Sequence, residues 1–133
     1  LSLQIGHVGS TTSPIILSVA VSTPGIADTD PEVIGSGGIN HLPVISGPTG
    51  NVNDVPVGNA DALAGKPLGI KTKIDLSPVA AGLWPTLFNS LVIHYIVSGG
   101  ADGVKTYVLD SSEKFADSTG EFIQAGKLIN LVP

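Results

Sequence analysis

Cysteine, methionine and arginine are all missing from this chain of 133 residues, and each absence narrows what it can be. Without cysteine there is no disulfide scaffold, no thiolate metal ligand and no thiol nucleophile. Without arginine, all six basic residues are lysines, so the planar fork that grips phosphates and base edges is absent. A formal charge of −5 and an isoelectric point near 4.8 leave no basic patch to hold a polyanion, and nucleic acid is excluded as the expected partner. Aromatics make up only 5%, part of a balance that suits short strands and turns better than long helices. Long apolar runs are lacking too. The longest, Pro14–Ala20 and Leu91–Val97, fall far short of the roughly 20 residues a membrane helix needs, so no membrane span and a soluble chain are expected. The first residue is Leu1 rather than methionine, which points to a processed or trimmed chain. A thiol-free, oxidation-tolerant composition fits a bacterial or viral exterior better than a small animal secreted domain, and an extracellular or cell-surface location is expected.

What is present favours strands. Gly 17 and Pro 10 punctuate a chain that is 42% hydrophobic, a balance suited to short strands and many turns. In residues 68–76 Leu68, Ile70, Thr72, Ile74 and Leu76 alternate with Gly69, Lys71, Lys73 and Asp75, which is period two. Residues 1–8 alternate more loosely through Leu1, Leu3 and Ile5, and residues 15–22 put Ile15, Leu17, Val19 and Val21 on one face. Residues 91–97 are apolar on both faces and predict a central strand packed on two sides, with Ile93, Tyr95 and Val97 set against Ile70, Ile74 and Val108. The Gly- and Asp-bearing link to 104–110 predicts a β-hairpin. The tail 120–133 predicts a last strand or a bent strand pair, with Gly126 as a bulge or turn. Residues 77–90 allow one helical turn, capped by Ser77 with Pro78 in its first turn and limited by Gly82 and Pro85. Residues 23–67 read as a long turn-rich middle segment with one short strand near Leu42–Ser46. The whole predicts an all-β fold: one domain over residues 1–133, an antiparallel β-sandwich of about seven strands.

Candidate ligand groups are few. Asp28, Asp30 and Glu32 stand at i, i+2 and i+4, a spacing that lets a tight loop converge oxygens on calcium, although the turn glycine and the closing bidentate acid of a full calcium loop are missing. An acidic solvated turn before Pro31 is the plainer reading. His7, His41 and His94 lie outside metal-motif spacing of one another, and His94 reads as a core imidazole. The glycines of 34–40 lack the Lys-Ser/Thr of a phosphate cradle and read as a flexible turn. Trp84, the single tryptophan, either plugs one end of the core or stacks on a sugar ring; the core reading carries more weight because tryptophan is highly buried on average. No catalytic residue is identified, and a non-enzyme is expected.

The stretch from Asn51 to Ile70 resembles the junction between cadherin-like or immunoglobulin-like repeats of bacterial surface adhesins, with Asn53, Asp54, Pro56, Val57 and Asp61 at matching positions. The resemblance implies calcium held by Asp54 and Asp61. Asn51 replaces the usual acid, no tandem repeat follows, and the competing reading is a loop whose amides and acids form Asx-turns. Residues 91–110 and 122–132 are similar to the closing strands of fimbrillin-type pilins around a Gly-Lys pair, here Gly126 and Lys127, with Leu128 and Ile129 where that family has aromatics. Both resemblances imply a cell-surface β-sandwich, and the expected function is a non-enzymatic structural or adhesive protein of a surface filament or matrix, whose strand-like residues 1–8 and 127–132 supply an edge for strand addition to a neighbour. A carbohydrate-binding module using Trp84, Tyr95 or Tyr107, and a virion decoration or tail component, are the alternatives; a hydrolase is the remotest.

Overall fold

The segment read at 68–76 forms the middle of a strand-rich architecture, and the computed structural model describes residues 4–44 and 46–133. In chain order the elements are β1 (Gln4–His7), β2 (Pro14–Ser22), β3 (Ile26–Gly35), β4 (Gly38–His41), β5 (Val52–Asn59), a single turn α1 (Ala60–Leu63), β6 (Pro67–Asp75), α2 (Trp84–Ser90), β7 (Val92–Gly100), β8 (Gly103–Val108), β9 (Lys114–Ala116) and β10 (Phe122–Val132). One sheet runs β1-β10-β6-β3-β4, with β9 also on β10; the other runs β5-β2-β7-β8. They pack face to face as a β-sandwich, with Leu17 and Tyr95 from the smaller sheet and Ile70, Ile74, Ile123 and Ile129 from the larger among the fully buried side chains. No helix is long and apolar enough to cross a membrane among the described residues.

Among the described residues ten strands rather than about seven build the sandwich, and the additional ones come chiefly from the segment read as turn-rich. Residues 26–35, dense in Asp, Pro and Glu, still alternate: Ala27, Thr29, Pro31 and Val33 are buried while Asp28 is exposed and Asp30 half-exposed. The carboxylate spacing read as a loop is therefore the period of a strand. Pro31 is tolerated because its carbonyl accepts from Leu42 N beyond the end of β4, where a missing N–H breaks no ladder bond. The short strand expected near Leu42–Ser46 is not found; β4 ends at His41, and Ile45 lies outside the described residues, as do Leu1 and Leu3 of the first expected strand. One pair also departs from antiparallel, since β1 runs parallel to β10.

The hairpin at 91–110 is present, closing at Gly100 opposite Gly103. Its first strand is not packed on two sides: Ile93, Tyr95 and Val97 are buried, but Val92 and His94 face solvent, so His94 is no core imidazole. Val108 is 51% exposed, and Tyr107, one residue earlier, takes the inward position. Gly126 pairs in register with Lys71 inside an unbroken β10, neither bulge nor turn. The helical segment begins later than expected, because Pro85 opens α2 instead of ending it and Ser77 N donates to Asp75 Oδ1 rather than Ser77 capping a turn.

Candidate functional site

The hairpin β3–β4 turns through Ser36 and Gly37, with Gly35 opposite Gly38, and this register sets His41 beside Glu32. His41 Nδ1 stands 3.0 Å from Asp30 Oδ2, 3.1 Å from Asp30 Oδ1 and 3.6 Å from Glu32 Oε2. Glu32 is 3% exposed, although it sits on the outer face of the sheet. The reason is Gly69 opposite it on β6: a β-carbon there would stand 3.4 Å from Glu32 Cγ and Oε1, so the glycine lets the carboxylate lie across the backbone. Glu32 Oε1 reaches Lys71 Nζ at 3.3 Å, whereas Glu32 Oε2 is buried without a hydrogen-bond partner. Among the described residues, Asp30, Glu32 and His41 are the group whose ligand atoms converge closely enough to hold a metal ion.

Of the three acids read from the sequence, two therefore meet. Asp28 stays apart, accepting from Ser46 Oγ at 3.4 Å and standing opposite Lys73. His41 was missed because its partners are acids across a hairpin, not other histidines. The signal was present nonetheless: a two-residue turn at Ser36–Gly37 fixes every pairing, and counting back from Gly35 and Gly38 brings Glu32 to His41.

Asp54 and Asp61 fall outside any such group among the described residues. The stretch 51–59 is mostly β5 rather than a loop, paired to β2 with register shifts at Ile15/Ile16 and Leu17/Val19. Asp54 occupies one irregularity with φ +48, a left-handed conformation that Asp and Asn tolerate better than other side chains. Ser18 holds it there from both sides, accepting from Asp54 N at 2.9 Å and donating to Asp54 Oδ1 at 3.1 Å. Asn51 Oδ1 accepts from Val21 N, and Asp61 Oδ1 accepts from Ala62 N, so these side chains satisfy backbone groups, across to β2 and at the start of α1 rather than in the Asx-turns of a loop.

Trp84 is half-buried at the rim of the core, between its two expected states. Its Nε1 donates to Leu76 O and Val79 O at 2.9 and 3.0 Å, which pins the ring. It lines a groove of about 380 Å3 with Pro85, Phe88, Asn89, Asp117 and Thr119. The Asp117 carboxyl is held below the usual carboxylate range, first by the Thr119 hydroxyl and then by backbone N–H groups.

The outer faces of the two sheets differ in charge. On the larger sheet Asp28 faces Lys73 and Asp30 faces Lys71. On the smaller, His94 lies between Ala20 and Val108, and Ile96 between Ser18 and Thr106, while Val92 and Val104 are 41% and 74% exposed. No lysine, aspartate or glutamate occupies these outward positions of β2, β7 and β8.

Comparison with known proteins gives no match to a family model, to a curated protein or to a solved structure. The resemblances to adhesin junctions and to fimbrillin-type pilins thus rest on their own residues.

Proposed function

We propose that this chain is a non-enzymatic structural or adhesive module of an extracellular assembly, and that copies of it associate through the outer face of β2, β7 and β8. The observation that carries the reading is the uncharged row of exposed Val92, Val104 and Val108 with Ile96 on that face. A second copy seated over β7 and β8 can cover it without burying a lysine, aspartate or glutamate of those outward positions, the Asp54 carboxylate being held by Ser18 toward the β5 edge, whereas docking on the larger sheet would bury Asp28, Asp30, Lys71 and Lys73. His94 and Thr106 interleave these side chains, and interfaces between proteins commonly mix apolar and polar groups in this way. The absence of thiols and thioethers supports an oxidising exterior.

Strand addition through the termini is the weaker route to assembly. β10 is paired to β6 over Phe122–Asn130 on one side, and on the other to β9 over Ile123–Ala125 and to β1 over Ile129–Val132. β1 is itself tied to the second sheet: Ile5 O accepts from Lys105 Nζ and Tyr107 Oη, and His7 N donates to Asp102 Oδ2. A neighbour's strand would have to displace these bonds. The second reading, a carbohydrate-binding module, is supported by the Trp84 groove with Asn89, Asp117 and Thr119 at its wall.

Sedimentation velocity over a concentration series separates the two. The assembly reading expects concentration-dependent association that Val108→Lys abolishes without lowering Tm. A monomer at every concentration would overturn it, and saturable glycan binding lost in Trp84→Ala would favour the second reading.

A further inference from the structure

The cluster on the opposite, charged sheet poses a separate problem. One nitrogen, His41 Nδ1, faces both oxygens of Asp30 and the nearer oxygen of Glu32 at 3.0, 3.1 and 3.6 Å. If that nitrogen carries a proton, its N–H serves Asp30 and leaves Glu32 Oε2 as found: buried and without a donor. If it carries a lone pair, three acceptors crowd one another. A single cation among them resolves both cases.

We propose that Asp30, Glu32 and His41 bind a divalent transition-metal ion of the zinc class through His41 Nδ1 and one oxygen of each carboxylate. The spacing suits such an ion. Bonds of about 2.0–2.2 Å in a tetrahedron place ligand atoms about 3.3–3.6 Å apart, and the nitrogen-to-oxygen separations here bracket that range. The donor set argues against calcium, which takes six or more oxygens and no imidazole, whereas imidazole with carboxylates suits zinc and its neighbours. Three protein ligands leave a fourth position for water or an incoming group, beside a groove of about 250 Å3 floored by Gly69 and walled by Ile34 and Leu128. The site is also assembled before any ion arrives. Asp30 and Glu32 are fixed on β3 by pairing with β6, and His41 by the tight hairpin.

Lys71 competes for the site. Its ammonium stands 3.3 Å from Glu32 Oε1 and supplies the positive charge an ion would bring, but the side chain is 61% exposed and free to swing into solvent. This separates the proposal from the plain alternative of an ion-pair network. In a network, removing Lys71 only leaves a buried carboxylate unpaired; in a metal site, it removes a repulsive charge and tightens binding.

The test is isothermal titration of the whole chain with zinc chloride and, in parallel, calcium chloride, using wild type, His41→Ala, Lys71→Met and His94→Ala. Expected is one saturable zinc site, weakened about tenfold or more in His41→Ala, tightened in Lys71→Met and unchanged in His94→Ala, with no comparable calcium binding. His41 is exposed at the end of an edge strand, so His41→Ala should melt with wild type in chelator. Absence of saturable zinc binding in wild type would overturn the proposal. So would undiminished binding in His41→Ala, loss of binding in Lys71→Met, or calcium bound as tightly as zinc. Because this surface and the β2–β7–β8 face lie on different sheets, neither test depends on the other.

Discussion

Lys127 and Glu113 show how far a single residue can depart from its type. Lys127 lies on the inward face of β10 between Ala125 and Ile129, and its Nζ donates to Glu113 Oε1 and to Val108 O, both at 2.8 Å. Glu113 Oε1 also accepts from Asp110 N, closing a capping box that turns the chain from β8 toward β9. Removing one partner of a buried pair strands the other charge, so Lys127→Met should destabilise by about 3–5 kcal/mol in urea unfolding. The double variant Lys127→Met, Glu113→Gln should recover part of that loss; equal losses in single and double variants would mean the charge is not what matters. Tyr95 gives the opposite expectation. Its hydroxyl is buried without a hydrogen-bond partner, so Tyr95→Phe should hold or raise stability, by up to about 1 kcal/mol. Burial, and after it the charge on Glu113, also push its phenol pKa upward. An acid whose folded-state pKa is raised contributes stability that is whole below the unfolded value, about 10, and is lost as pH climbs beyond it, because the unfolded chain releases the proton first. Alkaline unfolding followed by circular dichroism should therefore begin above about pH 10 and be shallower in Tyr95→Phe.

At the scale of elements, alternation was readable wherever polar and apolar residues took turns, as in β2, β6 and β10. It was hidden in β3, where Asp30-Pro31-Glu32 carries the composition of a turn, and in β5, where the register shifts around Asp54 break the period. In both, pairing with a neighbouring strand overrides local composition, and that pairing is not a local property. The face of β7 was misjudged for a related reason. Val92 and Ile96 are β-branched and apolar, but among the described residues they are left exposed and half-buried respectively. The site was legible in part: Asp30 and Glu32 stand out by spacing, while His41 emerges only once the hairpin register is counted. β5 also carries the calcium question. If the irregularity at Asp54 only clips β5 to Ser18, Asp54→Asn should lower Tm equally with calcium and with chelator, because no ion is linked to folding there. A calcium-dependent gap between the two melts would restore the junction implied by the adhesin resemblance.

The whole molecule presents two unlike faces on one core. The larger sheet carries paired acids and lysines on the outer face of β3 and β6 and gathers the acid and histidine cluster; the smaller exposes valines on β7 and β8, with Asp54 toward its β5 edge. β1 closes one side by pairing with β10 while accepting bonds from Lys105 and Tyr107, so the two sheets are joined near both ends of the chain. The central claim is that the smaller sheet's outer face is covered by another copy. The most direct measurement is amide hydrogen exchange at low and high protein concentration, which reports where protection is gained. Protection that rises with concentration in β7 and β8, with none gained in β3 and β4, is the expected result. Exchange in β7 and β8 that stays the same at every concentration, or protection gained only on the charged sheet, would contradict it.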